Sequence, residues 1–142
     1  MTDAPTEPEA TDLDDLLARA EAARANAYAP YSRFTVGAAV ATDRGVFSGA
    51  NVENASYSLC ICAERVACAC AVASGARRVD AVAVTSSSPT STPPCGACRQ
   101  FLYEFNPDMT VVSLGRNGSR REWRLSDLLV DGFGARDLGG GS

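Results

Sequence analysis

The sequence predicts an α/β fold, a three-layer α/β/α sandwich around a mixed β-sheet. Helical and strand patterns follow one another in the order α-β-β-α-β-α-β-α. Residues 80–85 are almost continuously apolar, which suits a strand whose sheet is covered by helices on both faces. The chain has 142 residues, 46% hydrophobic and 21% charged, enough for one sizeable core and too few for two.

Each element has its own signal. Residues 1–11, with two prolines and several acids, read as a disordered acidic tail ahead of a single domain at 12–138. Thr11 followed by Asp14 resembles a capping arrangement, and Leu13, Leu16, Leu17 and Ala20 recur at helical spacing, so a first helix is expected over 12–26. Pro30 closes it off. Residues 34–42 and 46–52 read as two strands joined by the turn Asp43-Arg44-Gly45. Nothing breaks a helix over 62–74, and Gly75 supplies the stop. Its second half is small and apolar on all sides, so burial or a subunit contact is expected there. After the strand at 80–85 comes a polar, proline-bearing loop. A helix is then expected at 95–105, a strand at 109–114, a turn at 115–119 and a short helix at 125–130, with a flexible end over 139–142.

Several classes of chemistry are excluded by what is missing. There is no histidine, and all 13 basic residues are arginine. Ser-His-Asp and Cys-His catalysis, imidazole metal ligands, a P-loop lysine and a Schiff base are therefore ruled out. The net charge of −4 is concentrated at one end. Six of the 17 acids fall in the first 15 residues, leaving 11 acids against 13 arginines over residues 16–142, a net of +2. So even a body lacks the electrostatic footprint of a nucleic-acid groove, and a small-molecule substrate fits better. No apolar run approaches the ~20 residues of a membrane span, and the acidic start is unlike a signal peptide, so a cytoplasmic protein is expected.

The six cysteines point to metal chemistry before disulfides. Cys60, Cys62, Cys68 and Cys70 crowd into eleven residues, and Cys95 and Cys98 form a CxxC pair. Cys62-Ala63-Glu64-Arg65 and Pro94-Cys95-Gly96-Ala97-Cys98 each open a predicted helix. The partial positive charge at a helix N-terminus lowers a thiol pKa and favours the thiolate that binds metal. If the two N-termini converge, three thiolates meet in a zinc site with its fourth tetrahedral position open to water. Arg65 and Arg99, each directly after a helix-opening ligand segment, would offset the excess negative charge, and Glu64, two residues from a ligand, is placed to move protons without coordinating. A structural four-cysteine site recruiting Cys60, in a non-enzymatic module, is the alternative from another class. Cys68 and Cys70, in mid-helix, read most simply as small buried hydrophobes.

The two cysteine motifs, with Ala27-Tyr28-Ala29-Pro30-Tyr31-Ser32 upstream, resemble the zinc-dependent cytidine deaminases of the small homotetrameric, three-cysteine kind. The likeness runs to Phe133 and implies that family's fold. It also implies hydrolytic deamination of cytidine and deoxycytidine to uridine and deoxyuridine by zinc-activated water. One Zn²⁺ per subunit would be held by Cys62, Cys95 and Cys98, with Glu64 as proton shuttle and Arg65 neutralising thiolate charge. Asn51 and Glu53 match the ribose-binding segment. Phe34 would pack on the nucleoside, the Ala63 N–H would bind the base carbonyl, and Phe133 would reach a neighbouring subunit's pocket. A homotetramer in pyrimidine salvage follows from the same likeness. The expected substrate is the free nucleoside, because neither a glycine-rich cradle nor an arginine cluster lies beside Asn51-Val52-Glu53. A deaminase of a modified aminopyrimidine nucleoside such as blasticidin S shares the zinc motifs and stays open.

Overall fold

The computed structural model describes residues 11–139. The expected acidic tail, apart from Thr11, and the chain end at 140–142 lie outside them. The described elements are α1 (Leu13–Arg24), β1 (Val36–Thr42), β2 (Gly45–Ala50), α2 (Ala63–Ala73), β3 (Val79–Ser86), α3 (Gly96–Tyr103), β4 (Thr110–Leu114), β5 (Arg120–Arg124) and α4 (Leu125–Leu128). Short 3-10 turns occupy Tyr57–Leu59 and Ala135–Leu138.

The strands form one mixed sheet in the order β2-β1-β3-β4-β5. Only β3 and β4 run parallel, joined by the crossover through α3; the other neighbours are antiparallel. Side chains alternate between two cores, as the period of 2 demands. Leu16, Leu17 and Ala20 of α1 pack on Ala39, Ala81, Ala83 and Val112. On the opposite face Ala63, Ala67, Cys68 and Ala71 of α2 and Leu102 of α3 pack on Ala38, Val40, Val82, Val84 and Val111. The expected three layers are therefore present.

Small residues set the distances between layers. A Cβ at Gly37 of β1 would lie 2.0 Å from the Ala20 carbonyl oxygen of α1. One at Gly49 of β2 would lie 2.7 Å from the Ala67 nitrogen of α2. Both helices thus sit on the sheet backbone more closely than any side chain would allow.

Local details depart from the sequence reading. The α1 cap is Asp12, whose Oδ1 accepts from the Asp14 and Asp15 N–H groups, and not Thr11. Strand β5 replaces part of what reads as irregular chain, and the sheet has five strands instead of four. Cys68 is fully buried as expected, but Cys70 is exposed on the outer face of α2. The helix is apolar all round in sequence, yet only its sheet-facing side is covered within the chain.

Candidate metal centre and substrate cavity

Two helix N-termini converge on the α2–α3 side of the sheet. Cys62 is the N-cap of α2 and Cys95 the N-cap of α3; Cys98 lies in the first turn of α3. Their three sulfurs lie within 4.8 Å of one another, with Cys62 Sγ and Cys95 Sγ 3.6 Å apart. Tetrahedral zinc with Zn–S bonds of about 2.3 Å separates its sulfurs by about 3.8 Å, so the trio has both the spacing and the soft donors that zinc requires.

The electrostatics favour thiolate at Cys62. Among the three thiols Cys98 keeps its proton and shares it with Cys62. That hydrogen bond, helped by Arg65 and opposed by burial, brings the Cys62 thiol down to about 5. An Arg65 terminal nitrogen lies 3.7 Å from Cys62 Sγ and 3.4 Å from the Cys60 carbonyl oxygen, donating to both. Arg65 therefore sits where the sequence puts it, against the sulfurs.

Glu64 follows Cys62 by two residues and is only 4% exposed. Burial pushes its carboxyl up to about 7. It reaches the wall of a cavity of about 240 Å³ that is also lined by Cys62, Cys95, Phe34, Asn51 and Glu53. Four of the expected catalytic and substrate-contact residues and two of the three expected ligands thus share one space, whose walls are otherwise mainly apolar. Ala63 is buried at the first position of α2, where its N–H lies outside the helical ladder. Phe133 does not line this cavity; it is an exposed residue beyond α3.

Asn51 and Glu53 carry structural work that the sequence does not reveal. The Asn51 amide accepts from the Val36 N–H (2.9 Å) and donates to the Phe34 carbonyl (2.8 Å), so it holds the segment bearing Phe34. One amide hydrogen and one oxygen lone pair remain for a ligand. Glu53 accepts from the Tyr31 and Ser32 N–H groups and from the Ser32 hydroxyl. These donors, the hydroxyl first, hold its carboxyl below the usual range. The loop between them contains Arg33 at φ 60, the one non-glycine residue in left-handed conformation among the described residues.

Sequence reasoning also missed Val84, Thr92 and Pro93 in the cavity wall. Thr92 and Pro93 directly precede the second cysteine motif, and that adjacency was the available signal. Cys60 lines the cavity but stays out of the sulfur trio, its thiol paired with the Asn54 backbone. The four-cysteine structural site is not favoured.

An α/β/α sandwich that gathers three thiols able to hold a metal, two of them on one cavity with a buried carboxyl, defines a metal-dependent enzyme of the hydrolytic kind. The family model described as the cytidine and deoxycytidylate deaminase zinc-binding region matches residues 10–114. A cytidine deaminase of Halalkalibacterium halodurans is 47% identical over 129 residues, covering 89% of this chain and 98% of the relative. One from Mycobacterium tuberculosis is 44% identical over 129 residues, covering 89% and 93%. The crystal structure of cytidine deaminase from Burkholderia pseudomallei superposes with a TM-score of 0.82 at 47% identity, covering 87% of this chain and all of that one. The chain belongs to the cytidine and deoxycytidylate deaminase zinc-binding family.

Proposed function

We propose that this zinc-dependent cytidine deaminase acts on free cytidine and deoxycytidine, with Glu64 as its proton shuttle and Cys62, Cys95 and Cys98 as the ligands of one zinc per subunit. Glu64 carries the reading. It is a buried carboxyl with a proton affinity near neutrality, on the wall of the cavity that Cys62 and Cys95 also line. Zinc, when bound, supplies the Lewis acid that makes water nucleophilic near neutral pH. Glu64 takes a proton from the attacking water, delivers it to the pyrimidine ring nitrogen, and passes a second to the departing amino group. One C–O bond forms at C4, one C–N bond breaks, and ammonia leaves.

The other contacts follow from the wall. Phe34 packs on the nucleoside, while the unused hydrogen and lone pair of Asn51 and the carboxylate of Glu53 meet the sugar hydroxyls. The Ala63 N–H, outside the helical ladder, binds the base carbonyl. No arginine lines the cavity among the described residues, and Glu53 adds negative charge, which disfavours a phosphate on the sugar. That supports a nucleoside over a nucleotide.

The domain is read as residues 12–138, working in the cytoplasm as a homotetramer in pyrimidine salvage. Support for assembly is the apolar surface left open in one chain, including Tyr57, Leu59 and Phe133. No helix among the described residues is long and apolar enough to cross a membrane. An ammonia-release assay with cytidine, deoxycytidine, CMP, cytosine and blasticidin S tests the substrate. Release from the first two alone is expected, and equal or faster release from CMP or blasticidin S overturns the assignment.

A further inference from the structure

Arg99 and Gln100, the two residues that follow the second cysteine motif, turn their side chains to the C-terminal segment, and Arg99 hydrogen-bonds there instead of to the sulfurs as expected. The Arg99 guanidinium donates through Nε to the Pro94 carbonyl (2.8 Å) and through a terminal nitrogen to the Leu128 carbonyl (2.9 Å). It thereby ties the approach to α3 to the end of α4. Gln100 makes two bonds with the main chain of Phe133. Its Nε2 donates to the Phe133 carbonyl at 2.7 Å, and the Phe133 N–H donates to its Oε1 at 3.0 Å. The carboxamide thus pairs with one residue as a neighbouring strand would. One turn further along α3, the Tyr103 ring lies against Gly132, where a Cβ would sit 2.8 Å from three ring carbons.

Helix α3 therefore begins with the cysteine pair and also carries the segment that ends in Phe133. Phe133 is 57% exposed and lies outside this protomer's own cavity. An exposed aromatic in irregular chain would ordinarily sample many orientations, but both main-chain polar groups of this one are pinned by a side chain two residues past Cys98. We propose that Gln100 is a positioning residue for substrate binding: it fixes Phe133 relative to the cysteine helix so that the ring closes the cavity of a second copy of this chain. This rests on the reading that Phe133 completes a neighbour's cavity.

The test compares Gln100→Glu, Gly132→Ala and Phe133→Ala in the zinc-loaded, full-length protein. Q100E keeps the acceptor but sets a carboxylate against the Phe133 carbonyl. G132A displaces the same segment from the Tyr103 side, without touching Gln100. Both are expected to keep one zinc per chain by elemental analysis. KM for cytidine should rise up to about tenfold, the worth in Q100E of the one lost Gln100–Phe133 hydrogen bond at the stronger end, with kcat nearly unchanged because only uniform binding is lost. F133A should raise KM in the same way. An unchanged KM in Q100E and G132A beside a raised KM in F133A overturns the positioning role and leaves Phe133 in the neighbour's cavity. An unchanged KM in F133A overturns the Phe133 reading and the positioning role with it. Loss of zinc, or an equal fall in kcat, assigns Gln100 to the integrity of α3 and also overturns the proposal.

Discussion

Replacing Glu64 with glutamine separates the two consequences of burying a carboxyl at this site. The side chain is 4% exposed, and burial raises its pKa from 4.5 to about 7. Between those two values the folded chain holds a proton that the unfolded chain has released. Stability therefore falls as pH rises through that window, and the whole loss is present above it. At about 1.36 kcal/mol per pH unit, the rise from 4.5 to about 7 amounts to about 3 kcal/mol. Glutamine keeps the volume and does not ionise. The zinc-free variant should thus match the parent near pH 4 and be more stable by about 3 kcal/mol at pH 8. The cysteines titrate in both proteins and largely cancel in the comparison. Activity should move the other way: the zinc-loaded variant loses about 10² to 10⁴ in turnover, the usual worth of a positioned acid–base group, at unchanged zinc content. Urea unfolding with chelator and reductant across pH 4–8, beside ammonia release by the zinc-loaded proteins, reads both. A stability difference that is flat with pH would refute the burial penalty. Turnover within tenfold of the parent would refute the shuttle.

Other substitutions probe the remaining walls of the site. Arg65→Gln removes the guanidinium 3.7 Å from Cys62 Sγ and should weaken zinc binding about 10- to 100-fold, measured by competition with a chromogenic chelator. Asn51→Ala leaves the Phe34 carbonyl and the Val36 N–H unpaired, so it should cost about 2 kcal/mol in urea unfolding as well as raising KM; a KM effect without a stability loss would mean the clamp is dispensable. Cys60→Ser should leave zinc content at one per chain, since that thiol pairs with Asn54, and loss of metal would return the four-cysteine site to consideration. Gel filtration of the parent at the monomer mass would remove Phe133 from any neighbour's cavity.

The metal centre was legible because its parts are local. Cys62 and Glu64 lie two positions apart, Cys95 and Cys98 share one turn, and a helix starts at the first cysteine of each pair, so spacing alone brings the donors to two N-termini. The sheet's core strands were legible for a similar reason, since burial on both faces leaves a continuous apolar run in β3. Strand β5 was not. Its sequence Arg-Arg-Glu-Trp-Arg carries a single apolar side chain, because an edge strand pairs on one side only and its charges keep other chains from adding to it. The Asn51 and Glu53 clamps were hidden because their partners lie 15 to 22 residues away, and nothing local in the chain marks which carbonyl an amide will face. The Gln100 clamp spans 33 residues and was hidden likewise.

With neither histidine nor lysine in the chain, charge balance constrains the site. Three thiolates on Zn²⁺ leave a net charge of −1, and an ionised Glu64 would add another in a space that water hardly reaches. Arg65 and the N-terminal ends of α2 and α3 are the described sources of compensating charge beside the sulfurs. They lie on the sulfur side, and Glu64 receives only part of their field. Burial is the largest contribution to its raised proton affinity, and the Cys62 thiolate adds to it. Under the proposed shuttle role the imbalance would serve the reaction, because a carboxyl near pH 7 can both accept a proton from water and give it up within one turnover. A histidine in place of one thiolate would lower the negative charge at the metal and with it the proton affinity of Glu64. On the proposed ligand set, the three cysteines and the elevated carboxyl are thus two sides of the same electrostatic arrangement.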